Sequence, residues 1–185
     1  MKIRILYTIL IFILAGLIYG CSTGKNTRVS RAYHNLTSKY NIYFNGNESL
    51  KAGLNRIDQN VEDDYTRILP IFKESYSSAG SAAKADMDNA IEKGSKLIAN
   101  HSITAKPKRR RIRTRNYQEF ARKEEFNNWV DDSYLLIGKA YFYQHNFSSA
   151  IENFSYIIRK FTEEDTRNDA MVWLARSYSE MERFT

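Results

Sequence analysis

The chain is poor in the residues that staple, kink or coordinate: among its 185 residues are one cysteine, two prolines, eight glycines and three histidines. One thiol closes no internal disulfide, which excludes a stapled framework. So few prolines and glycines argue against a fold built on many tight turns, and the frequent Tyr and Phe suit helical packing instead. His34, His101 and His145 stand far apart, with no metal-ligand spacing. No phosphate-cradling glycine loop, nucleophile elbow or zinc pattern occurs either. Asp63-Asp64 and Asp131-Asp132 are adjacent carboxylates, but neighbours in sequence do not share a helix face. Asp131 and Asp132 read instead as helix-start residues, where the macrodipole favours acids. The sequence points away from an enzyme and implies neither cofactor nor metal.

What is present begins at the N-terminus. Lys2 and Arg4 carry positive charge, residues 5–18 form an apolar core, and the small Gly20 precedes Cys21. That is the layout of a secretory signal, and the core is shorter than the roughly 20 apolar residues of a spanning helix. Leu17-Ile18-Tyr19-Gly20-Cys21 resembles the lipobox of bacterial lipoproteins. The resemblance implies a diacylglycerol thioether on Cys21, cleavage before it and acylation of the new amine. Residues 1–20 are then a lipoprotein signal peptide, residues 21–28 a small polar tether, and the membrane is reached through the lipid.

Beyond the tether, Val29, Ala32, Tyr33, Leu36, Tyr40, Tyr43 and Phe44 recur at steps of three and four, the mark of one helix face. Asn45-Gly46 is a turn dipeptide and Asn47 a candidate cap for a helix carrying Leu50, Leu54, Ile57 and Val61. The expectation is an αα-hairpin folded at Asn45-Gly46. Residues 63–72 read as a connector broken at Pro70, and residues 75–80 as a loop. Met87, Ala90, Ile91, Gly94, Leu97 and Ile98 line one face of a third helix. Helical spacing returns over residues 117–129 through Phe120, Ala121 and Phe126.

Between these blocks lies "KPKRRRIRTR". Its seven cations, Lys106, Lys108, Arg109, Arg110, Arg111, Arg113 and Arg115, equal the formal net charge of +7. Such a run ordinarily suggests nucleic acid. Export separates a protein from nucleic acid, so no such partner is expected. Two readings stand: a solvated basic linker over residues 105–116, or contact with something anionic, a lipid head group or an acidic partner face.

The last third is the most informative. Tyr134-x-x-Ile137-Gly138-x-x-Tyr141 followed by Ala150-x-x-x-Phe154 resembles a tetratricopeptide repeat. Gly138 and Ala150 are small where two antiparallel helices cross, Tyr141 and Phe154 fill the adjacent groove, and His145-Asn146 makes the turn. Phe147, Ala150, Ile151, Phe154, Ile157, Ile158 and Phe161 form the stripe of the second helix. A shift of 37 residues carries Asp132 onto Asp169, Ile137 onto Leu174, Gly138 onto Ala175, Tyr141 onto Tyr178 and Phe147 onto Phe184. A second repeat is thus expected, incomplete, stopping at Thr185 where its second helix should begin. The fold class is all-α: antiparallel helical hairpins in a TPR-like α-solenoid, truncated at the C-terminus. Residues 29–104 form the N-terminal hairpin region and residues 117–185 the TPR-like repeats.

"YHNLTSKYNIYFNGNESLKAGLNRIDQNVEDDYTRILPIF" and "EFNNWVDDSYLLIGKAYFYQHNFSSAIENFSYIIRKF" resemble the N-terminal region of the PorW/SprE family. These are tetratricopeptide lipoproteins of the type IX secretion system and gliding machinery in Bacteroidota. The resemblance implies a periplasm-facing outer-membrane scaffold whose partners are the outer-membrane translocon and the inner-membrane motor complex. Two other lipoprotein types share parts of the pattern. A SusD-like nutrient-binding protein would carry an acidic export signal after the cysteine, and residues 22–28 contain no acid. A BamD-like barrel-assembly protein shares anchor and repeats, while the "YFNGNES" block and the basic insert favour the secretion reading.

Overall fold

The first helical stretch forms, but it faces the other way. The computed structural model describes residues 23–184 except 110, 112, 113 and 163, so Cys21, Arg110 and Arg113 lie outside the described residues. Helix α1 (Arg28–Thr37) starts at Thr27, whose hydroxyl accepts from the Ser30 amide at 3.1 Å. Its buried residues are Ser30 and His34, whereas Val29 and Leu36 are 69% and 62% exposed. Tyr40 and Phe44 of the same apolar series are exposed as well. The core therefore meets a polar face, two of whose side chains are paired across the stack, while His34 Nε2 is buried without a partner. His34 and His101 share a hydrogen bond between their Nδ1 atoms at 2.9 Å, and Ser38 Oγ accepts from Asn127 Nδ2 at 2.8 Å.

Nor does the chain turn at Asn45-Gly46. A π-helical segment (Ser38–Tyr43) runs directly from α1 into α2 (Phe44–Asn60), and no described glycine has positive φ. Asn45 Nδ2 donates to the Asn41 carbonyl at 2.5 Å inside the helix, and Asn47 caps nothing. Gly46 answers to packing: a Cβ there would lie 2.9 Å from Leu136 Cδ2 and 3.1 Å from Lys93 Cβ. The buried positions Ser30, His34, Ser38, Ile42, Gly46 and Leu50 recur at steps of four. A step of four drifts about 40° per turn on a 3.6-residue helix, and the wider π turn takes up part of that drift.

The hairpin instead pairs α2 with α4 (Lys84–His101), joined by residues 61–83, which hold a 3-10 turn (Lys73–Ser75) and the short α3 (Ala79–Ala82). Pro70 lies in the irregular part of this connector. On α4, Met87, Ala90, Gly94 and Leu97 are buried. Next come α5 (Arg115–Arg122), α6 (Val130–Tyr143), α7 (Phe147–Lys160) and α8 (Thr166–Phe184). Helices α2, α4, α6, α7 and α8 pack in that order, each on the next, and the core runs between them. This is an all-α stack of antiparallel helix pairs.

Two crossings are built alike. A Cβ on Gly138 would meet Phe154 Cε1 at 2.5 Å, and a Cβ on Gly53 would meet Met87 Cε at 2.5 Å. Ala83 precedes Met87 by four residues, as Ala150 precedes Phe154, and both alanines are fully buried. The α2/α4 pair is thus a second small-against-large hairpin, hidden in the sequence by its long connector. That connector also reaches across the stack: Arg176 Nη2 of α8 pairs with Glu74 at 2.7 Å, and Ser75 Oγ donates to Glu180 at 2.9 Å. The Arg176 guanidinium lies over Phe72 at 4.2 Å.

The α6/α7 turn rests on His145, with φ of 60°, and on Asn146, whose Oδ1 accepts from the Ser149 amide at 3.3 Å. The equivalent pair in the second repeat is Glu182-Arg183. There the chain stays helical through Phe184, and Thr185 lies outside the described residues. Two ordinary helix formers replace the residues that bend the first copy.

The imidazole pair linking α1 to α4 carries a pH signature. Burial pushes both His34 and His101 below the ordinary 6.5, and for His101 the charge of His34 adds to the effect. The unfolded state therefore binds more protons in acid. The pair's contribution is complete above pH 6.5 and is lost as the pH falls from there through the lower folded values. The stability advantage of wild type over a His34→Gln/His101→Gln variant, by denaturant titration, should shrink from about pH 7 to about pH 5. A constant difference would contradict this.

Candidate functional site

The repeat residues converge on one hairpin. Gly138 sits under the Phe154 ring, Ala150 is fully buried, and Ile137 is 5% exposed. Tyr134 packs on Tyr156 with ring centroids 4.5 Å apart, and Tyr141 is half-buried. In the second copy the side toward the preceding helices is buried at Ala170, Ser177 and Glu180, the 37-residue counterparts of Ser133, Ala140 and Tyr143. Leu174 is only half-buried, and Ala175 and Tyr178 are exposed, on the side where α6 carries α7.

Helices α2, α6 and α8 are the first helices of successive pairs, and their shared face is charged and aromatic. Asp131 and Asp132 stand in the first turn of α6, as helix-start acids should. Thr166 of α8 donates to Asp131 Oδ2 at 2.7 Å, and burial raises the Asp131 carboxyl. Asp132 is pushed up to about 6, first by burial and then by Asp131, against the pull of Lys139. Burial lowers Lys139, while Asp169 and Asp132 oppose that fall. Its ammonium also lies over the Trp173 ring at 5.3 Å. Tyr43, just ahead of α2, is raised to about 12 by burial and then by Asp132 and Asp131. A raised acid works against the histidines: its stabilising effect appears as pH falls through about 6. The face thus offers carboxylates, one ammonium and aromatic rings along consecutive helices.

The basic run is less linker-like than its composition implies. Ile103 is fully buried, and its carbonyl accepts from the Phe126 amide at 3.0 Å. Glu125 closes the base of the excursion: Oε1 accepts from the amides of Ile103, Phe126 and Asn127 at 2.7, 2.9 and 2.9 Å, and Oε2 accepts from Ser102 Oγ at 2.5 Å. This clamp ends the helical expectation for residues 117–129, since α5 stops at Arg122. Lys106 donates to the carbonyls of Arg122 and Lys123, at 3.3 and 2.7 Å. Arg115 pairs with Glu119 at 3.0 Å, while Lys108, Arg109 and Arg111 are exposed. Glu125→Ala leaves the Ile103 and Asn127 amides without their acceptor, Phe126 keeping the Ile103 carbonyl, and should cost about 2–3 kcal/mol. Thermal unfolding reads it, with Glu125→Gln falling between, because an amide offers one acceptor oxygen instead of two. A midpoint unchanged in Glu125→Ala would remove the clamp.

Sequence reasoning missed Glu125, and it missed Asn127, which is 2% exposed and donates to Ser38 and to the His101 carbonyl. Neither belongs to an apolar period, so no periodic signal finds them. Among the described residues no three His, Cys, Asp or Glu side chains converge as a metal site. A polar cleft of about 320 Å³ between α5, α7 and the start of α6 is bridged by the Lys123–Glu164 pair at 2.6 Å and by Lys160–Glu124. No protein-family model matches the chain, and no curated protein matches it.

Proposed function

We propose that this protein is a scaffold lipoprotein of the PorW/SprE type. It is anchored to the outer membrane through Cys21 and faces the periplasm, and it supports type IX secretion and gliding by binding protein partners rather than by catalysis. The observation that carries this reading is the row of first helices, where Tyr43, Asp132, Lys139, Asp169 and Trp173 sense one another along consecutive pairs of the stack. A surface assembled from repeated helices recognises an extended or helical partner by many modest contacts, and its polarity gives selectivity more than raw affinity. Cross-linking in intact envelopes followed by pull-down of the lipidated protein tests the proposal. Recovery of translocon or motor subunits is expected. Recovery of barrel-assembly or nutrient-uptake subunits in their place would refute it.

A further inference from the structure

From the face left open on α1 and the placing of the basic loop, we infer that this end of the molecule docks onto an anionic membrane surface carrying phosphate head groups. The inference rests on the lipid-anchor reading. Asn26 Nδ2 donates to the Ala105 carbonyl at 2.7 Å, and the Arg31 guanidinium covers Phe120 at 4.8 Å. These contacts hold the loop beside the first turn of α1, so that Arg28, Lys108, Arg109 and Tyr117 line one cleft. Among the described residues, no carboxylate lies within ion-pair reach of Lys25, Arg28, Lys108, Arg109 or Arg111. Beside them runs the exposed stripe Val29, Tyr33, Leu36 and Tyr40, on a helix whose buried side is Ser30 and His34.

Apolar and tyrosine side chains next to unpaired cations are what an interfacial helix presents to a bilayer. Chain length brings the bilayer within reach. Five residue steps lead from Cys21 to Asn26, at most about 18 Å of extended chain. An anchored protein thus keeps these cations close to the head groups, where attraction fades over about 8 Å at physiological salt. An acidic protein face would explain the cations but not the apolar stripe beside them.

The test uses the acylated full chain reconstituted into vesicles of phosphatidylcholine alone, or of three parts phosphatidylcholine to one part phosphatidylglycerol. Flotation reports the anchor, and trypsin cleavage after Lys108 and Arg109 reports docking. Cleavage should be roughly tenfold slower on the anionic vesicles, return to the neutral rate in high salt, and return likewise in an Arg28→Gln/Lys25→Gln/Arg111→Gln variant that keeps both cleavage sites. Equal cleavage on the two vesicle types, with the protein afloat on both, overturns this inference and leaves the anchor standing. Failure to float on neutral vesicles overturns both. Protection found only in native envelopes would assign the cations to an acidic protein instead.

Discussion

Gly138→Ala should destabilise the protein even though alanine is the better helix former. The propensity gain is about 1 kcal/mol on an exposed helix. Against it stands the Phe154 ring, three of whose carbons lie 2.5–2.9 Å from the added Cβ position. Phe154 is fully buried and also neighbours Trp173, with ring centroids 6.3 Å apart, so it has little room to retreat. Overpacking of this kind costs typically about 1–3 kcal/mol, and the crossing therefore outweighs the propensity. For a chain of this size each kcal/mol lowers Tm by roughly 2–4 °C. Gly138→Leu should lower it further. Combining Gly138→Ala with Phe154→Leu should cost less than the two single changes added together, because the smaller side chain vacates the contact. Strict additivity would mean that Gly138 and Phe154 do not meet.

Replacing the only cysteine should have the largest effect on location. Cys21→Ala removes the sole thiol that can take a lipid, and with it the acyl chains expected on the processed amine. Each buried methylene contributes about 0.8 kcal/mol, one acyl chain holds a protein only marginally, and several hold it firmly. The exposed stripe of α1 and its cations would add a weaker, salt-sensitive hold. Metabolic palmitate labelling should therefore find the variant unlabelled, and fractionation should find it absent from the outer membrane. Equal label and equal retention would sink the lipoprotein reading.

The α6/α7 hairpin was legible because everything it needs lies within thirty-odd residues: a small residue, a ring to cover it, and the His145-Asn146 turn. The first half was not, for three physical reasons. Asn45-Gly46 has turn chemistry, but Gly46 is required where α2 meets Leu136 and Lys93, and tertiary approach overrides local preference. The stripe of steps of four, carried through a π turn, falls outside a 3.6-residue template. The third reason is polarity. The core side of α1 and the π segment is made of Ser30, His34 and Ser38, of which His34 bonds His101 and Ser38 accepts from Asn127 across the stack, while the apolar side points outward. Reading hydrophobicity as burial inverts that helix. The Gly53–Met87 crossing was obscured for a different reason, since residues 61–83 separate two halves that a short turn joins in the α6/α7 copy.

The most direct measurement of the scaffold claim is site-specific photocross-linking in living cells. A photoreactive phenylalanine replaces either Asp169, exposed on the row of first helices, or Glu152, exposed on α7. Both positions lie at the surface, so neither change should disturb the core. The account predicts cross-links from Asp169 to a subunit of the translocon or the motor complex, and none of comparable yield from Glu152. Cross-links from Glu152 alone, or none from Asp169 at normal protein level, would contradict it.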